Sequence, residues 1–158
     1  MFNFKKLKPL GVNLLLGLSS VVFALGVGEI ALRIVGISYP SFYQADPYRG
    51  HALIPGVSGW WNHEGKGWVS VNQQGLRDRD YSVKKPPNTF RIAVLGDSFA
   101  EAIQVNAEET FWSLMEKQLP QCERFDQQKI EVINFGVGDY GTAQELMTLK
   151  HHVVNYSP

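Results

Sequence analysis

Cysteine is almost absent from this chain. Cys122 is the only one in 158 residues, which excludes an internal disulfide and any multi-cysteine zinc or iron–sulfur site. An excess of either charge is missing too. Fifteen basic and fifteen acidic side chains give a formal net charge of zero, and without a basic footprint a nucleic-acid partner is excluded. The low hydrophobicity and high net charge of a disordered chain are also lacking, with 44% of residues apolar and 19% charged. The length is that of about one domain. A soluble domain would follow if the apolar residues were spread evenly, and they are not.

From Pro9 to Gly28 there is no charged residue. Twenty residues in a helix span roughly 30 Å, the thickness of a bilayer's hydrocarbon core. The apolar run resumes beyond Glu29 and reaches Ile37, and Glu29 and Arg33 are spaced to pair on one helical face. Lys5, Lys6 and Lys8 precede the run, while the first basic residues beyond Ile37 are Arg49 and Lys66. This bias predicts a single-pass protein with residues 1–8 as a cytoplasmic basic flank and 9–37 as a signal anchor. Everything after the anchor is then periplasmic or extracellular. The alternative is a cleaved signal peptide, with Val22-Phe23-Ala24 resembling a small-x-small site. Apolarity continuing well past that site favours the uncleaved anchor. About 120 residues remain, enough for a small core and too few for most of the larger hydrolase folds.

Residues 38–89 carry turn formers and aromatics in place of a long periodic pattern. Trp68-Val69-Ser70-Val71 alternates with period two, and His63-Glu64-Gly65-Lys66-Gly67 before it reads as a hairpin loop. The segment is expected to be a small β-rich extension. Trp60, Trp61 and Trp68 could stack on sugar rings or plug a small β-layer against the core, and the second reading is favoured. Lys84-Lys85-Pro86-Pro87-Asn88 reads as a linker, because paired prolines continue neither a ladder nor a helix.

The texture changes over 90–158. Phe90 to Leu95 is a near-continuous apolar run ending at Gly96, as expected of a strand buried on both faces. Asn106-Ala107-Glu108-Glu109 has the form of a capping box, followed by Phe111, Leu114, Met115 and Leu119 at helical spacing up to Pro120. Ile130 to Phe135 is a second strand, and Gly141-Thr142 opens a helix with Ala143, Leu146, Met147, Val153 and Val154 on one face. Strand, helix, strand, helix predicts parallel strands with a right-handed crossover. The loops after Leu95 and Phe135 then share one rim, where open α/β sheets place ligands.

Gly96-Asp97-Ser98-Phe99 lies on the first rim loop. A serine just past a strand can present its hydroxyl as a nucleophile when a base is available. The plainer reading is that Asp97 or Ser98 caps the next helix. The second loop, Asn134 to Thr142, offers backbone N–H groups to an oxyanion. Together these segments resemble the first two blocks of the SGNH/GDSL hydrolase superfamily. Asn72-Gln73-Gln74-Gly75-Leu76-Arg77-Asp78 looks like the lead-in of its membrane-anchored bacterial members. The resemblance implies a three-layer, flavodoxin-like parallel-sheet fold, present here only in part. It implies Ser98 as nucleophile, the Ser98 backbone and Gly141 (less readily Gly138) as oxyanion donors, and Asp97 and Asn134 in support. The implied activity is a serine esterase or O-acetyl hydrolase or transferase acting on an acylated carbohydrate or small ester, with no cofactor and no metal.

The family's third block, Gly-x-Asn-Asp, and its last, Asp-x-x-His, are not in the chain, so no histidine base or partner aspartate is assigned. His51 and His63 are expected in the aromatic extension, and His151 and His152 on a solvated helix face away from the rim. The sequence through Asn155-Tyr156-Ser157-Pro158 looks like the lead into a third strand, and 90–158 like the βαβα start of a longer domain that is inactive as it stands. Three rival readings remain. Gly136 to Gly141 fits the dinucleotide pattern G-x-G-x-x-G, and Gly96 to Ala100 distantly resembles a G-x-S-x-G elbow. The third is a membrane-tethered, non-catalytic module that binds a glycan or a partner.

Overall fold

The computed structural model describes residues 7–35, 41–125 and 127–158. Lys5 and Lys6 of the basic flank, and the expected end of the anchor at 36–37, lie outside the described residues. Two compact units are present, Met1–Tyr39 and Pro40–Pro158.

Among the described residues the first unit is one helix, α1 (Leu7–Ile34). Ser19, Ser20, Glu29 and Arg33 find partners within the helix. The Ser19 hydroxyl donates to the Leu15 carbonyl at 2.5 Å, that of Ser20 donates to Leu16 at 2.7 Å, and Arg33 Nε meets Glu29 Oε1 at 2.8 Å. Over Pro9–Ile34 the helix has mean hydropathy 2.1 and none of it is buried, so by length and composition it can cross a membrane.

The second unit is a mixed α/β arrangement with a small parallel sheet. Strands β1 (Tyr43–Asp46) and β2 (Gly50–Leu53) form one antiparallel hairpin, and β3 (Ser58–Trp61) and β4 (Gly67–Ser70) form another. The β3–β4 loop falls where the glycine-rich 63–67 segment predicts it. The β1–β2 turn is built by Asp46, whose carboxylate accepts the Tyr48 and Arg49 N–H groups at 3.0 and 2.8 Å and the Arg49 guanidinium at 2.7 Å. The Arg49 hydrogen bond holds this carboxyl down at about 2. Strands β5 (Thr89–Val94) and β6 (Lys129–Asn134) then pair in parallel, from Thr89↔Lys129 to Val94↔Asn134.

Helical segments cover both faces of this pair. On one face Ile92, Val94, Ile130 and Val132 share a core with Trp112 and Met115 of α3 (Phe111–Gln118). On the other, Ala93, Leu95, Ile133 and Phe135 meet Leu76, Val153 and Tyr156, the last two following α4 (Thr142–His151). A third core joins the hairpins to the loops beyond the parallel strands, through Phe42, Leu53, Val69, Val71, Ile103, Val137 and Tyr140.

Three expectations need correction. Strand 90–95 is not buried on both faces: Phe90 is 42% exposed, and the buried member is Arg91. Its guanidinium forks onto Glu131 at 2.6 and 2.9 Å and onto the Tyr156 carbonyl at 2.6 Å, so the pair is buried with its hydrogen bonds made. On α3 the buried residue is Trp112, while Phe111 and Leu114 are exposed. The Trp112 indole donates to the Ala100 carbonyl at 3.0 Å and draws that side of the helix inward, while Met115 and Leu119 of the expected face still pack on the core. On α4 Ala143 and Leu146 are exposed and Thr148 is buried, because the 3-10 turn Val153–Tyr156 fills the space beneath the sheet.

The tryptophans divide. Trp61 packs on the third core, as the plug reading expects, whereas Trp60 (47% exposed) and Trp68 (44%) stand edge to face on the surface at 5.4 Å.

Candidate functional site

Parallel pairing brings the C-terminal ends of β5 and β6 together. The ladder continues past both strands, with Phe135 N–H donating to the Val94 carbonyl at 2.8 Å and Val137 N–H to the Gly96 carbonyl at 3.1 Å. The Gly96 loop is thereby zipped to the Asn134–Thr142 loop.

On the first loop the single helical turn α2 (Ser98–Glu101) follows at once. Asp97 caps it, its carboxylate accepting the Phe99 N–H at 2.9 Å, so the capping reading holds for Asp97. Ser98 is half-buried at the first position of the turn. Among the described residues, neither its hydroxyl nor its backbone N–H has a hydrogen-bond partner.

The second loop lies directly against α2. A Cβ at Gly136 would stand 2.5 Å from Ala100 Cβ and 2.8 Å from the Glu101 backbone nitrogen, so only glycine permits this approach. Asn134 is fully buried. Its Oδ1 accepts the Gly136 N–H at 2.9 Å and its own N–H donates to Asp78 at 2.9 Å, while its Nδ2 has no partner. The N–H of Gly138 is committed to Glu101 Oε2 at 2.7 Å. Gly141 is exposed and caps α4, and among the described residues its N–H meets only the Gln144 side-chain oxygen, at 3.2 Å.

Several residues that hold this geometry were not singled out from sequence. Glu101 is fully buried beneath the loop, accepting the Tyr43 hydroxyl at 2.9 and 3.0 Å besides Gly138. Burial pushes the Glu101 carboxyl up, and burial, then the Glu101 charge, pushes up the Tyr43 hydroxyl. Arg77 is buried as well, donating to the Glu101 carbonyl at 2.7 Å and to the Val105 carbonyl. It clamps the exit of α2, and its charge offsets part of the cost of burying Glu101.

The histidines also differ from expectation. His51 reaches the second loop: its Nε2 lies 2.8 Å from the Gly138 carbonyl, which can only accept, so that nitrogen carries the proton. Tyr43 and Tyr140 pack edge-on to its ring, and the Tyr140 hydroxyl donates to the His51 carbonyl at 2.7 Å. His151 is exposed and stacks on Tyr48 at 4.9 Å. His152 is half-buried and not on a solvated face. Its ring packs edge-on against Phe135 and faces Arg49 at 3.5 Å, and burial pulls its pKa down. His63 lies beside the Trp61 ring. The contacts of His51, His151 and His152 are with these groups and not with Ser98. Among the described residues no group of His, Cys, Asp and Glu is placed to hold a metal ion.

The outer edge of β6 is closed by side chains. Glu116 accepts the Val132 N–H at 2.7 Å, Asp78 accepts that of Asn134, and the Tyr81 hydroxyl donates to the Val132 carbonyl at 2.9 Å. Burial pushes the Asp78 carboxyl up to about 6. Among the described residues the outer edge of β5, with the backbone groups of Arg91 and Ala93, has no such cover.

Comparison with models of known protein families gives no match, and no curated protein is significantly similar.

Proposed function

We propose that the rim carries the serine half of an SGNH/GDSL-type ester site, on a domain held outside the cytoplasm by α1. One observation carries this reading. The Gly96–Ser98 loop is zipped onto the Asn134–Gly141 loop while the Ser98 hydroxyl and N–H both stay unpaired. Ser98 Oγ would attack an ester carbonyl and give its proton to a base, and the oxyanion would accept from the Ser98 and Gly141 N–H groups. Collapse expels the alcohol, and the acyl group passes from Ser98 to water or to a sugar hydroxyl. Gly141 suits the donor role better than Gly138, whose N–H is already bound by a buried carboxylate. Asp97 and Asn134 shape the two loops. Helices on both faces of a parallel pair support reading the unit as part of a three-layer, flavodoxin-like sheet. Lys5, Lys6 and Lys8 support an N-terminus in the cytoplasm. Substrates of this reading are acylated carbohydrates or small esters, and the chemistry calls for no cofactor.

A second reading, a tethered non-catalytic module, is favoured by the absence of any described histidine contact to Ser98. Turnover of p-nitrophenyl acetate separates the two when measured on this chain and on the chain extended by its downstream reading frame. The chain alone should show no saturable turnover, because losing a triad member typically costs about 10⁴-fold. The extended chain should turn over and lose that activity with Ser98→Ala. Activity indifferent to Ser98→Ala would refute the ester site.

A further inference from the structure

Along the sealed edge of β6 runs a groove that the ester reading does not use. It consists of two adjoining cavities of about 380 and 170 Å³ that share Asp78, Arg79, Ala107 and Glu108. The larger falls within the size range of small-molecule sites. Trp68 and Ser70 of β4 form its outer wall, and Trp112 and Tyr81 line the smaller cavity behind.

The Trp68 ring is half-exposed, with one contact to the ring and one to its backbone. Trp60 packs against it at 75°, and the Trp68 backbone N–H donates to Asn106 Oδ1 at 3.1 Å. That second bond fixes the Trp68 backbone beside Asn106, whose amide nitrogen stays unpaired among the described residues. Arg79 is fixed in the same groove, stacked over Tyr81 at 4.0 Å and paired with Glu116 at 2.8 Å. Hydrogen-bonding capacity is left on Asn106, Ser70, Glu108 and Arg79.

A flat aromatic face beside amide, carboxylate, hydroxyl and guanidinium groups suits a molecule with an apolar C–H face and a rim of hydroxyls. Pyranose rings have this form. The lining holds three carboxylates, Asp78, Glu108 and Glu116, against the single cation Arg79, which disfavours acidic ligands. We infer that this groove is a binding subsite for a neutral oligosaccharide, with one pyranose stacked on Trp68 and its hydroxyls met by Asn106, Glu108 and Arg79. The inference stands without Ser98. If the ester reading also holds, it names the class of alcohol that bears the acyl group, because Asp78 both lines the groove and anchors Asn134 at the base of the rim loop.

The test is binding to the full chain in detergent micelles, followed by tryptophan emission and titration calorimetry. The probes are chitotetraose and cellotetraose, with tetragalacturonate as the acidic control. The neutral tetrasaccharides should bind saturably and the acidic one should not. Trp68→Leu, which keeps apolar bulk but removes the ring face, should weaken binding roughly tenfold or more. Asn106→Ala should weaken it severalfold. Glu108→Lys should admit tetragalacturonate, and Ser98→Ala should leave binding unchanged, which separates this outcome from failure of the ester site. The inference is overturned if folded wild-type chain binds none of the neutral probes, if Trp68→Leu binds them as well as wild type, or if acidic and neutral probes bind alike.

Discussion

Replacing Gly136 by alanine should be far more costly than the same change at Gly141, although both sit on one loop. At Gly136 the new methyl would stand 2.5 Å from Ala100 Cβ and 2.8 Å from the Glu101 nitrogen, well inside the usual ~3.5–4 Å contact distance between non-bonded atoms. The obstacles are α2 backbone and a short buried side chain, so neither can swing aside. The loop must lift, at an overpacking cost of about 1–3 kcal/mol. Lifting also stretches the bonds from Val137 N–H to Gly96 and from Gly138 N–H to Glu101, the second to a buried charge and worth about 1.5–3 kcal/mol. A loss of about 2–4 kcal/mol follows when the loop relaxes in part. At Gly141 the methyl would meet only Gln144 Oε1 at 3.5 Å, on the surface, so a change within about 0.5 kcal/mol is expected. All four tryptophans lie in the second unit, so their emission during urea unfolding in mild detergent reports on that unit and not on α1. With a urea slope of about 1.5 kcal/mol/M, Gly136→Ala should lower the midpoint by roughly 1–3 M. Equal midpoints for the two variants would refute the close approach of loop and helix on which the rim geometry rests.

Two further outcomes are expected. Burial raises the Asp78 carboxyl from 3.8 to about 6, so the native state holds that proton more tightly than the unfolded chain does. The resulting stability is fully present below about pH 4 and lost as pH rises through 6, with a ceiling of about 3 kcal/mol that partial exposure reduces. Urea midpoints from pH 4 to 7 should therefore fall in wild type and stay flatter in Asp78→Asn. For topology, an alkaline phosphatase fused after Pro158 should be active and a fused β-galactosidase inactive, and the opposite pattern would reverse the charge-bias reading of Lys5, Lys6 and Lys8.

Features written in local pattern were legible in the sequence. The uncharged run gave α1, the glycine-rich 63–67 segment a hairpin loop, and two apolar runs around a helix gave β5, β6 and their parallel pairing. The cap at Asp97 and the shared rim follow from the same spacing. Helix faces were not legible, because α3 carries two overlapping apolar stripes. Phe111 and Leu114 lie on one and Trp112 and Leu119 on the other, and only a tertiary bond to Ala100 chooses between them. Glu101 was missed because a carboxylate is ordinarily solvated, and its burial depends on Tyr43 and Gly138 arriving from far along the chain. His51 has the same character: nothing around it in sequence signals a carbonyl at Gly138.

The two edges of the parallel pair are unequal, and this limits how copies of the chain could associate. A strand arriving beside β6 finds the N–H groups of Val132 and Asn134 already taken by Glu116 and Asp78, so growth by strand pairing is favoured beside β5. A sheet with one receptive edge can close on a single partner strand, but it cannot propagate in both directions as a fibre does. Three side chains from outside the sheet thus act as a chain terminator, and losing Asp78 or Glu116 would remove a barrier to open-ended polymerisation as well as a hydrogen bond.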